Sequence, residues 1–396
     1  MSEKITRKAL LWSNLLSEPL FTLYGFISFI LYKDLGASAF LISLVTILKP
    51  VVTILSFYWK GGGLKKNVLW AGFFMRAPFL LCPWIDSAWF LAAAAVNYMF
   101  FYRAAIPSWI EILKRNMPEK RERMFSFSSA LGYAEGIGLS LAMGGLLDQE
   151  AGLWKQCFFG AALIGLCSLY FQARLPILEK KETDKVPLKE RMIRPWRDSW
   201  HLIRTRPDFA RFQWGFMLCG FGIMLIQPAL PIFAVDDLKI SYLEMAAAIS
   251  IAKGLGFALS SPFWSRWMEK TPIDKMAGRV FLIVGLFPVM LAMSLWNGWW
   301  FYGAYFLYGI GQGGSHLVWH MSGPVFAGKE DSSRYTGVNV VLAGIRGAVA
   351  PSLGGLLLVA CGPVPVLVLG GVLCFYSGIR LIQNWNQQLW VNNNFQ

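Results

Sequence analysis

The stretch RLPILEKKETDKVPLKERMIRPWRDSWHLIRTRPDFAR, residues 174–211, decides how the rest of the chain reads. It is the only long polar segment in 396 residues and carries eleven Lys or Arg against six Asp or Glu. Charge at that density is excluded from hydrocarbon, so the stretch lies in water or on a headgroup surface. On either side stand two blocks of nearly continuous apolar sequence, the second a diverged copy of the first.

Composition sets the solvent. The chain is 56% hydrophobic and 15% charged, with a mean hydropathy of +0.47. That is more apolar surface than a soluble core of this length could hide, so the solvent is lipid. Eighteen Trp and thirty Phe fit the same reading, since membrane proteins use aromatic rings in the apolar band and at both interfaces. The net charge of +14 does not point to nucleic acid, because the basic residues fall in the connections between apolar runs. The six cysteines, Cys82, Cys157, Cys167, Cys219, Cys361 and Cys374, lie in or beside apolar runs without a CxxC pair, which argues against a disulfide or metal framework.

Apolar runs of about 20 residues, the length that crosses a bilayer core, fall at residues 9–31, 39–58, 67–85, 88–107, 125–147 and 154–173. They recur at 209–232, 242–262, 278–296, 299–320, 335–360 and 364–383. The runs are continuous and do not alternate, and lipid forces every backbone group to bond within its own segment, so they are helices. The expectation is an all-α integral membrane protein of twelve transmembrane helices, built as two parallel six-helix repeats. Residues 1–173 form the first bundle, 174–208 a central loop and 209–396 the second bundle. Lys4, Arg7 and Lys8 precede the first run as in a signal peptide. That run continues past Phe29 with no small-residue cleavage site, so it reads as a retained first span.

Orientation follows from the Lys and Arg residues. With the N-terminus inside, the inner connections hold Lys60, Lys65, Lys66, the cluster from Lys114 to Arg123, the central stretch, and Arg266 to Arg279. The outer connections hold only Lys33, Lys155 and Lys239, beside Asp34, Asp86, Asp148, Glu150, Asp236 and Asp237. The positive-inside rule then places both termini and the central stretch in the cytoplasm, in a plasma or inner membrane. Trp196 and Trp200 suit a short helix lying on the membrane surface.

The duplication is visible residue by residue. A shift of 211 places Trp89-Phe90 on Trp300-Phe301, Arg123 on Arg334, Leu131 on Leu342, Gly136 on Gly347 and Leu146-Leu147 on Leu357-Leu358. A shift of 203–204 places Asp34-Leu35, Ser38 and Lys49 on Asp237-Leu238, Ser241 and Lys253. Each half has an even number of spans, so the halves share one orientation; such parallel repeats place a solute site at the repeat interface near mid-membrane.

With its two six-helix halves, its basic central loop, the Gly-rich eleventh span GIRGAVAPSLGGLL from Gly344 and basic loops after helices two and eight, the chain resembles the major facilitator superfamily of secondary transporters. The resemblance covers nearly the whole chain. It implies alternating access, in which two bundles rock about a central site. It also implies that helix two faces helix eleven and helix five faces helix eight, making Lys49 a neighbour of Arg346 and Glu135 of Lys253. The sequence departs from the family's signature loop. YWKGGGLKKN has Gly61 to Gly63, Lys65 and Lys66 but no Asp, and its copy PFWSRWMEK has Glu269-Lys270 at the expected acid-base pair. The charge latch of such loops is therefore not carried over.

Ionisable residues at membrane depth cost about 2.5–3.5 kcal/mol on insertion scales and are site candidates for that reason. They are Glu18, Lys49, Arg76, Arg103, Glu135, Lys253 and Arg346, with His316 and His320 beside them. One reading has Lys49 and Arg346 binding an anionic solute, with Arg76 and Arg103 as outer candidates. The other has these cations paired with Glu18, Glu135 or helix-end carbonyls, holding the halves in register. A third, strongest for Arg103, has the side chain reaching to an interface.

Glu18 precedes Pro19, and Gln227 precedes Pro228; a proline break with a polar neighbour can line a cavity. Glu18 and Glu135 are read either as proton carriers or as structural partners. His316 and His320, four apart, share a helical face, and Gln312 on the same span is a cavity candidate. HLVWH lacks the Glu of a zinc protease at Leu317, so proton coupling, solute hydrogen bonding or packing beside Trp319 is weighed instead of metal. GIGQGGSH from Gly309 resembles a nucleotide loop but lies in an apolar run, where glycines let helices approach closely. Gly132, Gly136, Gly144, Gly347, Gly354 and Gly355 read the same way.

The sequence thus predicts a secondary transporter for a small polar, anionic solute, coupled to protons, with membrane lipid as its surroundings. The expected partners are that solute and protons, with no nucleic acid, no metal, no cofactor and a monomeric state. There is no P-loop. A membrane enzyme on lipid or acyl substrates is the alternative, weakened because three histidines, one of them His201, supply no catalytic set. A non-transporting sensor of the same fold is the other.

Overall fold

A computed structural model describes residues 2–56, 59, 63–116, 121–150, 152–176, 188–328 and 332–394. Lys60, Gly61 and Gly62 of the signature-like loop and residues 177–187 of the central stretch lie outside the described residues, as do the side chains of Lys114, Arg123 and Arg334. Among the described residues every regular element is helical.

The chain falls into two compact units, one of Met1–Thr183 with Lys239–Ser250 and the other of Asp184–Leu238 with Ile251–Gln396. The first unit contains α1 (Ser2–Lys33), α2 (Ala39–Ser56), α3 (Leu64–Arg76), α4 (Ala88–Asn116), α5 (Arg121–Gln149) and α6 (Trp154–Ala173). In the second unit lie α7 (Leu188–Thr205), α8 (Pro207–Leu225) and α9 (Ala229–Ile232). The chain then returns to the first unit for α10 (Tyr242–Ala246) before α11 (Lys253–Lys270), α12 (Ile273–Met293), α13 (Trp299–Ala327), α14 (Ser332–Cys361) and α15 (Pro363–Asn394) complete the second.

The twelve apolar runs all map onto these helices, with local departures that have physical causes. The run 67–85 is α-helical only to Arg76; Pro78 and Pro83 lack the N–H of an α-helical ladder, and Ala77–Trp84 tightens into a 3-10 helix. The run 209–232 breaks at Pro228 as expected, since α8 stops at Leu225 and α9 begins at Ala229. The expected break at Pro19 does not occur. There α1 continues unbroken from Ser2 to Lys33, packed on α5 and α6. Arg76 also fixes the preceding turn, its Nη2 donating to Ser17 Oγ at 2.7 Å. Neighbouring helices that hold the chain in register let a span tolerate an internal proline. The polar α7 carries exposed Trp196 and Trp200, while Leu202 and Ile203 pack against the core of Phe209, Ala327, Tyr335 and Val338.

Nine of the described helical segments are long and apolar enough to cross a membrane. Lipid tails offer no hydrophobic drive between helices, so close backbone approach and polar contacts hold them together. In GIGQGGSH this is plain: Gly309 lies on the carbonyl of Lys253, and Gly311 and Gly314 lie on Val284, Val280 and Trp264, wedging α13 between α11 and α12. A buried network adds polar adhesion. The Gln213 amide donates to Asn339, whose Nδ2 donates to Ser322 Oγ at 2.8 Å, tying α8, α14 and α13.

Candidate functional site

The first unit gathers most of the membrane-depth charge around α1. Glu18 projects from α1 onto the glycine face of α5, where a Cβ on Gly136 would stand 2.7 Å from Oε1 and one on Gly132 would stand 3.3 Å from Oε2. The glycines thus make room for a carboxylate. Glu135, one residue before Gly136, repels Glu18 electrostatically, and its Oε2 is buried without a hydrogen-bond partner. Two carboxylates at one depth with an unsatisfied oxygen are costly unless a proton or a cation joins them.

One and a half turns beyond Glu18 on α1, Tyr24 begins an aromatic ladder. Its ring stacks on Tyr98 at 4.7 Å, Tyr98 stacks on Tyr102 at 5.9 Å, and both partners belong to α4. Lys49 of α2 places its Nζ 5.0 Å from the Tyr24 ring centroid. Arg103 lies 5.9 Å from the Tyr102 ring and is exposed. The Tyr24 hydroxyl is buried with no hydrogen-bond partner. An ammonium thus lies over the first ring of the ladder and a guanidinium over the last, where cation–π attraction holds each cation loosely.

Arg76 is different. It is 1% exposed, its Nη1 donates to the Gly72 carbonyl at 2.6 Å, and its Nη2 is spent on Ser17. A Cβ on Gly165 would stand 2.7 Å from its Nε, so α6 closes over it. This arginine fastens α3 to α1 and α6.

In the second unit the charge is sparser. Arg346 of α14 lies over Gly220 of α8, its Nη1 donating to the Phe216 carbonyl at 3.2 Å and its guanidinium 5.4 Å from the Phe216 ring. Its Nε is buried without a partner. The repeat position of Arg346 is Glu135, so the same helix pair carries opposite charges in the two units: a carboxylate from α1 on the glycines of α5, and a guanidinium from α14 on a glycine of α8. Lys253 is half-buried at the start of α11. The exposed His316 and His320 face each other at 3.3 Å between Nε2 atoms, beside Phe257. Gln312 is half-buried on α13, and Gln227 is half-buried in the break after α8.

None of Glu18, Lys49, Glu135, Lys253 and Arg346 forms an ion pair among the described residues. The pairs seen there are Lys155–Asp86 at 3.0 Å, Lys33–Asp148 at 3.4 Å and Arg206–Asp208 at 3.0 Å, all at helix ends, and Arg197–Asp198 at 3.8 Å within the polar α7. Nor do the described residues contain three or more His, Cys, Asp or Glu placed to hold a metal ion.

Sequence reasoning passed over two features. The tyrosines of the ladder read as ordinary membrane aromatics. Ser241-x-x-Glu244 is a capping box that marks the start of α10, legible from the spacing alone.

Residues 10–351 match the Major Facilitator Superfamily, and the chain belongs to that family of transporters. The enzyme alternative falls with that assignment. No curated protein sequence matches the chain. Among solved structures it is similar to a POT family transporter in complex with 5-aminolevulinic acid, at 12% identity and a TM-score of 0.73, over 94% of each chain. It is also similar to the nucleoside transporter NupG, at 12% identity and a TM-score of 0.66, over 96% of this chain and 98% of that one. A bacterial homologue of the human drug peptide transporters PepT1 and PepT2 aligns at 14% identity with a TM-score of 0.69, over 96% of both. At such identities the likeness is one of fold.

Proposed function

We propose that this multi-pass membrane protein carries a small polar, anionic solute by alternating access, coupled to protons. Lys49 and Arg346 are the anion-binding residues in this reading, with Arg103, Gln227 and Gln312 as polar neighbours and Arg76 kept to its packing role. Glu18 and Glu135 carry the proton. His316 and His320, which meet at 3.3 Å, would share a proton of their own. Lys253, the repeat copy of Lys49, balances the carboxylate charge. Both termini lie in the cytoplasm of a plasma or inner membrane, and the transporter acts as a monomer in lipid, as bundles 1–173 and 209–396 joined by loop 174–208.

One observation carries the reading. Lys49 and Arg346 keep cationic groups at membrane depth with no carboxylate partner among the described residues, and only weak ring or carbonyl contacts hold them. A cation at that depth without a counter-ion is explained by one that arrives with the solute. Uptake of a panel of labelled small organic anions into vesicles holding the purified chain tests it. Lys49→Ala and Arg346→Ala should each weaken the apparent affinity for the transported anion. Unchanged affinity in both would remove the proposal. A pH gradient, inside acid or inside alkaline, should change the uptake rate; indifference to it would remove the proton role.

A further inference from the structure

His316 and His320 stand one turn apart on α13, both exposed, with their Nε2 atoms 3.3 Å from each other. Their ring centroids are 4.4 Å apart and the ring planes cross at 63°, so the two nitrogens lie closer together than the rings do. Such a separation is at the long end for one direct hydrogen bond. It is the separation that a tetrahedral ion sets. Two zinc–nitrogen bonds of about 2.0–2.1 Å, opened to the tetrahedral angle, hold their nitrogens about 3.3–3.4 Å apart. The outer torsion of a histidine is broad, so small turns of the rings aim both lone pairs at one point.

The backbone keeps this spacing. From Trp299 to Ala327 α13 is one unbroken helix, and residues four apart share a face of it. Close packing seats the preceding turn on α11, since a Cβ on Gly313 would stand 3.1 Å from Ser260 Oγ and one on Gly314 would stand 2.9 Å from the Trp264 ring. Phe257, also of α11, meets the His316 ring edge-on at 6.4 Å and gives the pair an apolar wall. The acid missing at Leu317 removes zinc hydrolysis, which needs a general base, but binding needs only the two nitrogens. No group of three or more His, Cys, Asp or Glu placed for a metal occurs among the described residues, so the remaining positions of an ion here fall to water. Structural zinc sites close all four positions with protein ligands; an ion with open positions exchanges.

We propose that His316 and His320 bind one divalent transition-metal ion of the zinc class through their Nε2 atoms, with water completing a tetrahedral shell, as an exchangeable site on α13. Imidazole suits Zn2+, Co2+, Ni2+ and Cu2+, whereas Mg2+ and Ca2+ take oxygen ligands. Each ring coordinates in its neutral form, with its proton on Nδ1 and the Nε2 lone pair on the ion. A bound ion therefore displaces any proton the pair shares, and ion and proton compete for the same two nitrogens. The inference stands on the geometry of the pair and not on the transport reading.

The full chain, purified in detergent without a polyhistidine tag, is titrated with Co2+. It should develop the visible bands of a four-coordinate ion, and added Zn2+ should remove them by competition. His316→Ala and His320→Ala should each weaken binding by at least about tenfold, since losing even an outer-shell partner of a ligand costs 10–100-fold. His201→Ala changes the third histidine of the chain and should leave the affinity as it was. Both ligand positions are exposed, so the metal-free melting temperature should be the same in wild type and variants. Zn2+ should raise it in the wild type and in His201→Ala but in neither ligand variant. No four-coordinate spectrum in the wild-type chain, or equal affinity in all three variants, would overturn the site. Neither solute nor gradient is present, so that failure is distinct from a failure of the transport reading.

Discussion

Replacing Lys49 with methionine should make the empty protein more stable while it costs the solute. A cation at membrane depth is unfavourable by about 2.5–3.5 kcal/mol on insertion scales. The half-buried position of Lys49 cuts that to about half. The Tyr24 ring at 5.0 Å returns about 0.5–1 kcal/mol. The balance leaves about 0.5–1 kcal/mol against the wild-type residue, and methionine fills nearly the same volume without the charge. Lys49→Met should therefore raise the melting temperature by a degree or more, followed by intrinsic tryptophan fluorescence of the purified chain. In the same variant the apparent affinity for the transported anion should fall about 10- to 100-fold, because one charge-assisted hydrogen bond, worth about 1.5–3 kcal/mol, is gone. A structural lysine behaves in the opposite way: removing it strands a carboxylate and lowers the melting temperature. A fall of several degrees with unchanged anion affinity would refute the reasoning.

Three further outcomes follow from the geometry. Glu18→Gln and Glu135→Gln, each removing one of two mutually repelling carboxylates, should abolish uptake driven by a pH gradient while leaving solute exchange between the two faces of the vesicle, measured by counterflow. Gly309→Leu should destabilise the second unit by about 1–3 kcal/mol or prevent folding, because the Lys253 backbone occupies the space a side chain would need; thermal melting on a size-exclusion column reads it. Burial would raise the Asp148 carboxyl, but the N–H groups of Leu243 and Tyr242 with Lys33 hold it below the ordinary carboxylate range. The stability it lends is present above the unfolded value near pH 4 and is lost only as pH falls through the lower folded value. Hydrogen exchange at the Tyr242 and Leu243 amides, corrected for intrinsic rates, should stay protected at pH 5; loss of protection between pH 7 and 5 would contradict the sign.

The fold was largely legible because lipid leaves the chain few options. Twelve apolar runs had to be helices, and Pro228 marked its break because nothing on the page of residues compensates for a missing N–H. Pro19 misled for the same reason. What carries α1 through it is the packing of α5 and α6 and the bond from Arg76 to Ser17, partners 59 residues apart that periodicity does not pair. The candidate site was half legible. Each charge at membrane depth announced itself by its cost, but the sorting of Arg76 into packing and of Lys49 onto the Tyr24 ladder depends on which helices meet. Asp148 read as one more outer acid, since its value lies entirely in meeting the start of α10.

Counterflow in vesicles containing only the purified chain tests the central claim most directly. Vesicles loaded with an unlabelled organic anion that the wild-type chain recognises should transiently accumulate the labelled anion from outside above its equilibrium level. Lys49→Ala and Arg346→Ala vesicles should need far higher anion concentrations to do so. A chain that binds the anion yet never accumulates label against its gradient would contradict the account.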